Sequence, residues 1–493
     1  MYVIKKTALG LACAAIMGGV TITSQAANWT MLQGTEPAGI APRIKVWGFI
    51  QPVYEKDTSD ENKYVGTPGN NFEMIAPKLI GPDLETQEGF NIRRARLGAR
   101  GTGFPLDSNV NYFFLAEFGN NAITHGGGGS GKITDASITL SHIPGARLRM
   151  GAFKVPTTEE GYQAIHVFDY INFTDVANQM MLERFPNKQW TPNRNNTAGF
   201  AYTDGDSETP FNGFNRPVSA FRDNGVQIFD SFLLGDWDTT YAVMYGNGNG
   251  ITIGDNDDNK DVYLYASTEW VFAGKGPRRQ GWKFFAWQQD GKRTLYNPAN
   301  PFPAGPGADT EPGGKQEYDR KRYGIGTKFY NGLFRVTAEY LKGEGMIFLG
   351  PDNPTFTQTA PNNAGGSGCG GNGPGNLTCP LLADGRNGES NGYYIDFGWY
   401  IPRTAWEIDV RYDFYDRLTN AEKLAGPCAF NFEFKTLTLG TNYHFNKKSR
   451  VTINAAQRDF EAVECPSAAA GGNPNNNLEG VDRRYGVQLT HIF

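Results

Sequence analysis

Basic side chains recur at alternate positions in three stretches of the sequence. They are Arg94, Arg96 and Arg100; Arg147 and Arg149; and Arg320, Arg322 and Lys328. In a β-strand, residues two positions apart lie on the same face, about 6.5–7 Å from each other. Guanidinium groups at that spacing could bind phosphate or carboxylate with paired hydrogen bonds and pass an anion from one to the next. The pattern therefore predicts a row of anion-binding groups, an anion ladder.

Carboxylates on neighbouring segments leave a second interpretation open. The acidic residues predicted to face the same way are Glu117, Glu339, Glu407, Asp409 and Asp413. If these carboxylates pair with the basic residues, the two sets are balanced wall charges rather than an anion ladder. Segment 156–223 contains five basic and nine acidic residues, a net charge of −4. Because negative charge repels phosphate, the sequence favours a general anion preference over phosphate specificity.

Catalytic and metal-binding patterns are missing from the sequence. The five His residues are scattered without metal-ligand spacing. No Ser-His-Asp arrangement, nucleophile elbow or phosphate-binding glycine motif is found. We therefore expect neither an enzyme nor a bound cofactor or metal.

The N-terminus is typical of a secretory signal peptide. Lys5 and Lys6 precede a short apolar stretch over residues 8–20, and Ser24-Gln25-Ala26 offers small residues for cleavage. We expect residues 1–26 to be a signal peptide and residues 27–493 to be one domain. Without the two lysines, 44 basic residues stand against 51 acidic residues. That mild acidity argues against nucleic-acid binding.

Four cysteines follow the predicted signal peptide, an even number that favours disulfides in an oxidising compartment. All four fall in predicted long loops. The pairing between nearest neighbours is Cys369–Cys379 and Cys428–Cys465, which is one of three possible connectivities.

Apolar and polar residues alternate in sixteen segments. The last segment has Tyr485, Val487, Leu489, His491 and Phe493 on one face. The sixteen predicted strands are 43–54, 89–101, 108–118, 133–142, 146–155, 224–233, 237–246, 261–272, 280–290, 319–330, 333–343, 391–401, 404–415, 433–445, 449–460 and 481–493. No apolar run after residue 26 is long enough for a membrane-spanning helix. An even number of alternating strands predicts an all-β fold, a transmembrane antiparallel β-barrel.

The connections between these strands are alternately short and long. Tight turns such as Ile143-Pro144-Gly145 alternate with long polar loops such as 344–390. Outer-membrane barrels have short turns on the periplasmic side and long loops outside. Segment 156–223 follows strand five, and we expect it to fold into the lumen as a constriction loop. The alternative is that it contains two further strands, one of them at 196–203.

Several motifs resemble one family of bacterial outer-membrane porins, the phosphate-selective porin O/P family. The strongest is Phe90-Asn91-Ile92-Arg93-Arg94-Ala95-Arg96-Leu97-Gly98 in strand two. Supporting stretches lie at 48–52, 116–119, 135–140, 151–156 and 222–227. The resemblance implies a sixteen-stranded, trimeric diffusion channel, with some members preferring anions.

These expectations define two functions for comparison. The first is a porin in the bacterial outer membrane that lets small hydrophilic, anionic or polar solutes diffuse passively. Its surroundings would be outer-membrane lipid and lipopolysaccharide, and it would assemble as a homotrimer. The second is a structural or binding barrel that serves as scaffold or receptor for a periplasmic or surface partner.

Overall fold

In the computed structural model of the protein, sixteen antiparallel strands form a closed β-barrel. The structure describes residues 28–36, 41–65, 71–75, 88–103, 105–121, 123–124, 131–182, 184–185, 216–217, 220–251, 255, 258–274, 279–296, 315–347, 388–420, 431–463 and 480–493. No helix in these ranges combines the length and apolar character needed to span a bilayer.

The barrel strands follow one another around the ring in chain order. They are β1 Lys45–Asp57, β2 Glu88–Gly103, β3 Asp107–Glu117, β4 Lys132–Leu140, β5 Arg147–Lys154, β6 Arg222–Leu234, β7 Trp237–Gly246, β8 Asp261–Ala273, β9 Gln280–Tyr296, β10 Lys315–Tyr330, β11 Phe334–Glu344, β12 Glu389–Tyr400, β13 Trp406–Asp416, β14 Phe432–Asn446, β15 Ser449–Ala462 and β16 Arg484–Ile492. Pairing of β1 with β16 closes the ring, so the barrel has no free edge. The predicted number, order and type of strands are confirmed.

The outer surface of the barrel is apolar. On β16 the alternating residues Tyr485, Val487 and Leu489 are exposed, whereas Arg484, Gln488 and Thr490 are buried. A belt of this kind on every side matches the hydrocarbon of a bilayer, and the polar face of each strand then lines the lumen. The alternation seen in the sequence therefore corresponds to lipid-facing and lumen-facing positions.

A β-bulge changes the register of β2 at the strongest sequence motif. Gln51 of β1 pairs with Arg94, but the next residue, Pro52, pairs with Ile92. Arg93 is thus the extra residue, beside a proline that cannot donate a backbone hydrogen bond. Both Arg93 and Arg94 are consequently buried in the interior.

Two segments outside the barrel wall occupy the interior. Residues 28–36 include the short helix α1, Trp29–Leu32, and residues 155–182 include α2, Glu159–Tyr162. The second segment also has a 3₁₀ turn at Ile165–Val167 and a π-helical turn at Ala177–Met181. Beyond it, Arg184–Phe185 pairs with Arg216–Pro217. The possible strand at 196–203 lies outside the described residues.

Candidate functional site in the barrel lumen

Five of the eight predicted anion-binding residues form ion pairs on the inner wall. Arg96 contacts Glu117 at 2.6 Å, Arg320 contacts Asp261 at 3.0 Å, and Lys328 contacts Glu159 at 3.2 Å. The other two pairs are Arg100 with Glu36 and Arg147 with Asp230. For these five residues the geometry supports balanced wall charges rather than an anion ladder.

Two of the other three predicted residues, Arg94 and Arg149, donate to neutral groups among the described residues. Arg94 donates to the side-chain oxygen of Gln51 at 3.1 Å, and Arg149 donates to that of Gln227 at 3.1 Å. Arg322 donates to main-chain carbonyls, including that of Met346 at 2.9 Å. Because a neutral acceptor does not cancel a positive charge, Arg94 and Arg149 keep their electrostatic attraction for anions.

The predicted acidic residues hold the interior segments as well as basic side chains. Glu339 accepts hydrogen bonds from the Thr158 hydroxyl at 2.8 Å and from the Glu159 N–H at 3.1 Å. Asp413 accepts from the Asp175 N–H at 2.8 Å. The remaining three, Glu117, Glu407 and Asp409, pair with arginines.

Residues 155–182, called the crossing segment below, reach several sides of the barrel. Glu159 contacts Lys283 on β9 at 2.6 Å and Lys328 on β10 at 3.2 Å. Farther along, Asp169 contacts Arg335 on β11, and Asn172 donates to Glu55 on β1 at 3.1 Å. These contacts place the segment across the lumen, where it narrows any path through the barrel.

Two neighbouring acids of the crossing segment have opposite electrostatic surroundings. Burial alone would raise the pKa of Glu159, but the ammonium groups of Lys283 and Lys328 outweigh it and lower the pKa to about 2. Burial raises the pKa of Glu160 to about 7, against the opposing effect of Arg411. Glu159 is therefore ionised at neutral pH, whereas Glu160 titrates near neutrality.

Glu160 predicts a pH-dependent ion preference. Acidification from pH 8 to pH 6 neutralises one carboxylate at the narrowed part of the lumen, so the preference for anions should increase. About 1 kcal/mol, the interaction of two charges 4 Å apart in water, corresponds to a change of roughly fivefold. Reversal potentials in a salt gradient at the two pH values measure it. Glu160→Gln should reduce this pH step, and a step of the same size in that variant would contradict the assignment.

Residues 28–36, called the N-terminal segment below, also lie in the lumen. The Trp29 indole donates to Glu159 at 3.0 Å, and the Tyr162 hydroxyl donates to Thr30 at 3.0 Å. Arg149 donates to the Thr30 carbonyl at 3.2 Å. The sequence interpretation missed this segment, because it has neither strand alternation nor a recognised motif.

The sequence interpretation also missed Arg335, the centre of a network that includes the predicted acids Glu407 and Asp409. This buried side chain contacts Asp169 of the crossing segment and three wall carboxylates, Asp396, Glu407 and Asp409. Arg411, Arg450, Arg458 and Arg484 are further buried basic residues on β13, β15 and β16. Each alternates with outward-facing residues, so strand alternation was the signal that could have found them.

Two further predictions concern the disulfides and a metal site. Cys369, Cys379, Cys428 and Cys465 lie outside the described residues. Among the residues that are described, no group of three or more His, Cys, Asp or Glu side chains could hold a metal ion.

Comparisons with known proteins give one family match and several solved outer-membrane proteins of low sequence identity. The family model described as phosphate-selective porin O and P matches residues 80–216, which contain the Phe90–Gly98 motif, and this confirms the predicted resemblance. The outer-membrane channel DcaP of Acinetobacter baumannii is 12% identical over 91% of this chain and 97% of that chain, with a TM-score of 0.49. Salmonella typhi OmpF, solved with daunomycin, is 11% identical over 91% and 97% of the two chains, with a TM-score of 0.44. A comparison with curated proteins gives no match.

The family match and the sixteen-stranded barrel with its apolar belt identify an outer-membrane protein of bacteria. They indicate a channel of the porin type rather than an enzyme.

Proposed function

We propose that this outer-membrane channel lets small hydrophilic solutes diffuse passively and prefers anions. The observation that carries the preference is a set of three buried cations, Arg94, Arg149 and Lys154, on β2 and β5. Within the described ranges, none of them has a carboxylate at ion-pair distance. Lys154 donates to the Gly161 carbonyl at 2.8 Å, and the two arginines donate to neutral groups. Buried charges beside a pore act on the passing ions through their electric field.

The opposite wall carries the complementary charge. Strands β11 to β13 lie five to eight positions from β2 and β5 in the ring of sixteen. There, Arg335 is shared by the wall carboxylates Asp396, Glu407 and Asp409, and it also contacts Asp169 of the crossing segment. Cations on one side and excess carboxylates on the other produce an electric field across the lumen. Such a field supports orientation of polar solutes, with their negative end towards β2 and β5.

The acidic residues of the crossing segment should repel anions less strongly than the net charge of segment 156–223 indicated. Glu159 faces Lys283 and Lys328, and Glu160 contacts Arg411 at 3.1 Å. Their negative charge is thus compensated at the wall. This arrangement supports a preference for anions in general, and phosphate specificity is not part of the proposal.

The direct test is conductance of the purified protein in planar bilayers. We expect channel events, with reversal potentials that favour anions when chloride, phosphate and a dicarboxylate are compared. Absence of channel events would contradict the channel, and a cation-preferring reversal potential would contradict the selectivity.

Arg94→Ala should weaken the anion preference. Loss of one uncompensated charge is expected to lower the ratio of anion to cation permeability about fivefold at 0.1 M salt, the scale of one charge interaction in water. The effect should shrink at 1 M salt, where the Debye length is about 3 Å instead of about 10 Å. Arg94→Lys keeps the charge and serves as the control. An unchanged reversal potential at 0.1 M salt would show that Arg94 does not contribute to the anion preference.

The proposal includes further features of the assembly. We expect a homotrimer in outer-membrane lipid and lipopolysaccharide, a signal peptide over residues 1–26 and a constriction loop over 156–223. The disulfides Cys369–Cys379 and Cys428–Cys465 would restrain the loops at the pore mouth. Mass spectrometry of the mature, unreduced protein tests the cleavage site and the pairing.

One observation favours the second candidate function, a structural or binding barrel. Both the N-terminal segment and the crossing segment occupy the lumen. A barrel filled in this way could present a surface to a periplasmic or external partner. Co-purification of a stoichiometric partner, together with an absence of channel events, would favour this function.

A further inference from the structure

We propose that the N-terminal segment is an internal ligand that occupies a peptide-binding site in the lumen and partly closes the channel. The same site would take a short peptide that carries a carboxylate. This inference rests on the proposed channel function, since it concerns the path that a solute would follow.

Two arginines bind the main chain of this segment. Arg100 donates to the carbonyls of Leu32 and Thr35, both at 3.2 Å. Arg149 donates to the carbonyls of Thr30, at 3.2 Å, and Gln33. Main-chain carbonyls are common to all peptides, so these four contacts do not depend on the side chains of the segment. They form a built site for an extended or turned peptide.

The site also recognises a carboxylate. Arg100 pairs with Glu36, and Asn111 accepts a hydrogen bond from the Glu36 N–H at 2.6 Å. Both Glu36 and Asn111 are buried. A buried carboxylate held by a guanidinium group explains why the site would favour an acidic peptide over a neutral one.

Side-chain contacts connect the N-terminal segment to the crossing segment. Trp29 donates to Glu159 and lies with its ring 6.0 Å from the Lys328 ammonium nitrogen. Tyr162 of the crossing segment donates to Thr30. The N-terminal segment therefore supports the crossing segment from the end of the barrel that has the short turns. Its removal would both open space and free Arg149, one of the three uncompensated cations.

The test compares the full-length channel with a variant that lacks residues 28–36. We expect the variant to have a single-channel conductance at least about twofold higher and a stronger anion preference, because Arg149 becomes accessible. A nine-residue peptide with the sequence of residues 28–36, added on the short-turn side, should block the variant. The same peptide with Gln in place of Glu36 should bind about tenfold more weakly, because it loses a charge-assisted hydrogen bond.

A double substitution tests the same proposal if the deletion variant does not assemble. Trp29→Ala combined with Glu36→Gln keeps the chain length and removes two anchors, and its conductance should also rise. Conductance equal to the full-length channel in both variants would overturn the proposal. Calorimetric titration of the peptide into the purified deletion variant gives a second readout that does not require conduction. Absence of peptide binding there would overturn the site, whereas absence of channel events in every variant would overturn only the channel function.

Discussion

Replacing Arg335 with Ala should destabilise the barrel by about 3–5 kcal/mol, the cost of removing one partner from a buried ion pair. Arg335 is 1% exposed and contacts four carboxylates. Arg450 still contacts Asp169, and His444 still contacts Glu407 at 3.1 Å. In the variant, Asp396 and Asp409 lose the ion pairs that they form with Arg335. Thermal unfolding of the detergent-purified protein, followed by the temperature at which the folded band disappears on gels, measures the loss.

The control removes the charge of Arg335 together with the charges of the carboxylates that pair with it. In the variant Arg335→Met combined with Asp396→Asn and Asp409→Asn, no carboxylate that depends on Arg335 alone stays charged. We expect this triple variant to recover most of the stability, because exchanging a whole buried ion-pair cluster for neutral groups costs far less than breaking it. A thermal transition of Arg335→Ala equal to that of the unchanged protein would show that the network contributes nothing.

Glu159→Gln should produce the largest change in selectivity. The Glu159 carboxylate is the ion-pair partner of both Lys283 and Lys328, and the pKa of about 2 keeps it charged throughout the usual assay range. The variant leaves two ammonium groups uncompensated where the crossing segment narrows the lumen. We expect the ratio of anion to cation permeability to increase at least about tenfold, since the effective dielectric constant beside buried groups is lower than that of water.

Reversal potentials at low salt measure this effect, with Glu160→Gln as the matched control. Glu160 lies next in the chain but contacts Arg411 instead of the two lysines. At pH 6, where Glu160 is already largely neutral, its replacement should change selectivity little. If the two variants behave alike at that pH, Glu159 does not control the charge of the constriction.

The strands could be predicted from the sequence because lipid imposes a strict alternation. Residues such as Val487 and Leu489 must face hydrocarbon, and their neighbours then face the lumen. The largest errors in strand ends were at β9 and β10, which extend to Tyr296 and begin at Lys315. These two residues pair with each other beyond the predicted ends. Pairing outside the bilayer needs no apolar stripe, so alternation does not reveal it.

The arrangement inside the barrel depends on contacts that the alternation of apolar and polar residues does not predict. The inward position of Arg93 results from a bulge in the pairing with β1. The partner of Lys328 is Glu159 in the crossing segment, 169 positions away in the chain. Basic and acidic residues could be assigned to the lumen from their strands, but the ion pairs of Arg100 and Lys328 required the positions of the two interior segments.

The seam between β1 and β16 has a consequence for folding kinetics. Gly48 and Phe493 exchange backbone hydrogen bonds of 3.0 and 3.3 Å, and Gln51 donates to Thr490, which is 439 positions away. Contacts between such distant residues carry the greatest chain-closure entropy and slow folding, whereas each neighbouring hairpin can form locally. Pairing of β1 with β16 is thus expected to be the last step in barrel folding. Until these two strands pair, their free edges can pair with other chains. The lifetime of the open sheet therefore determines the risk of aggregation.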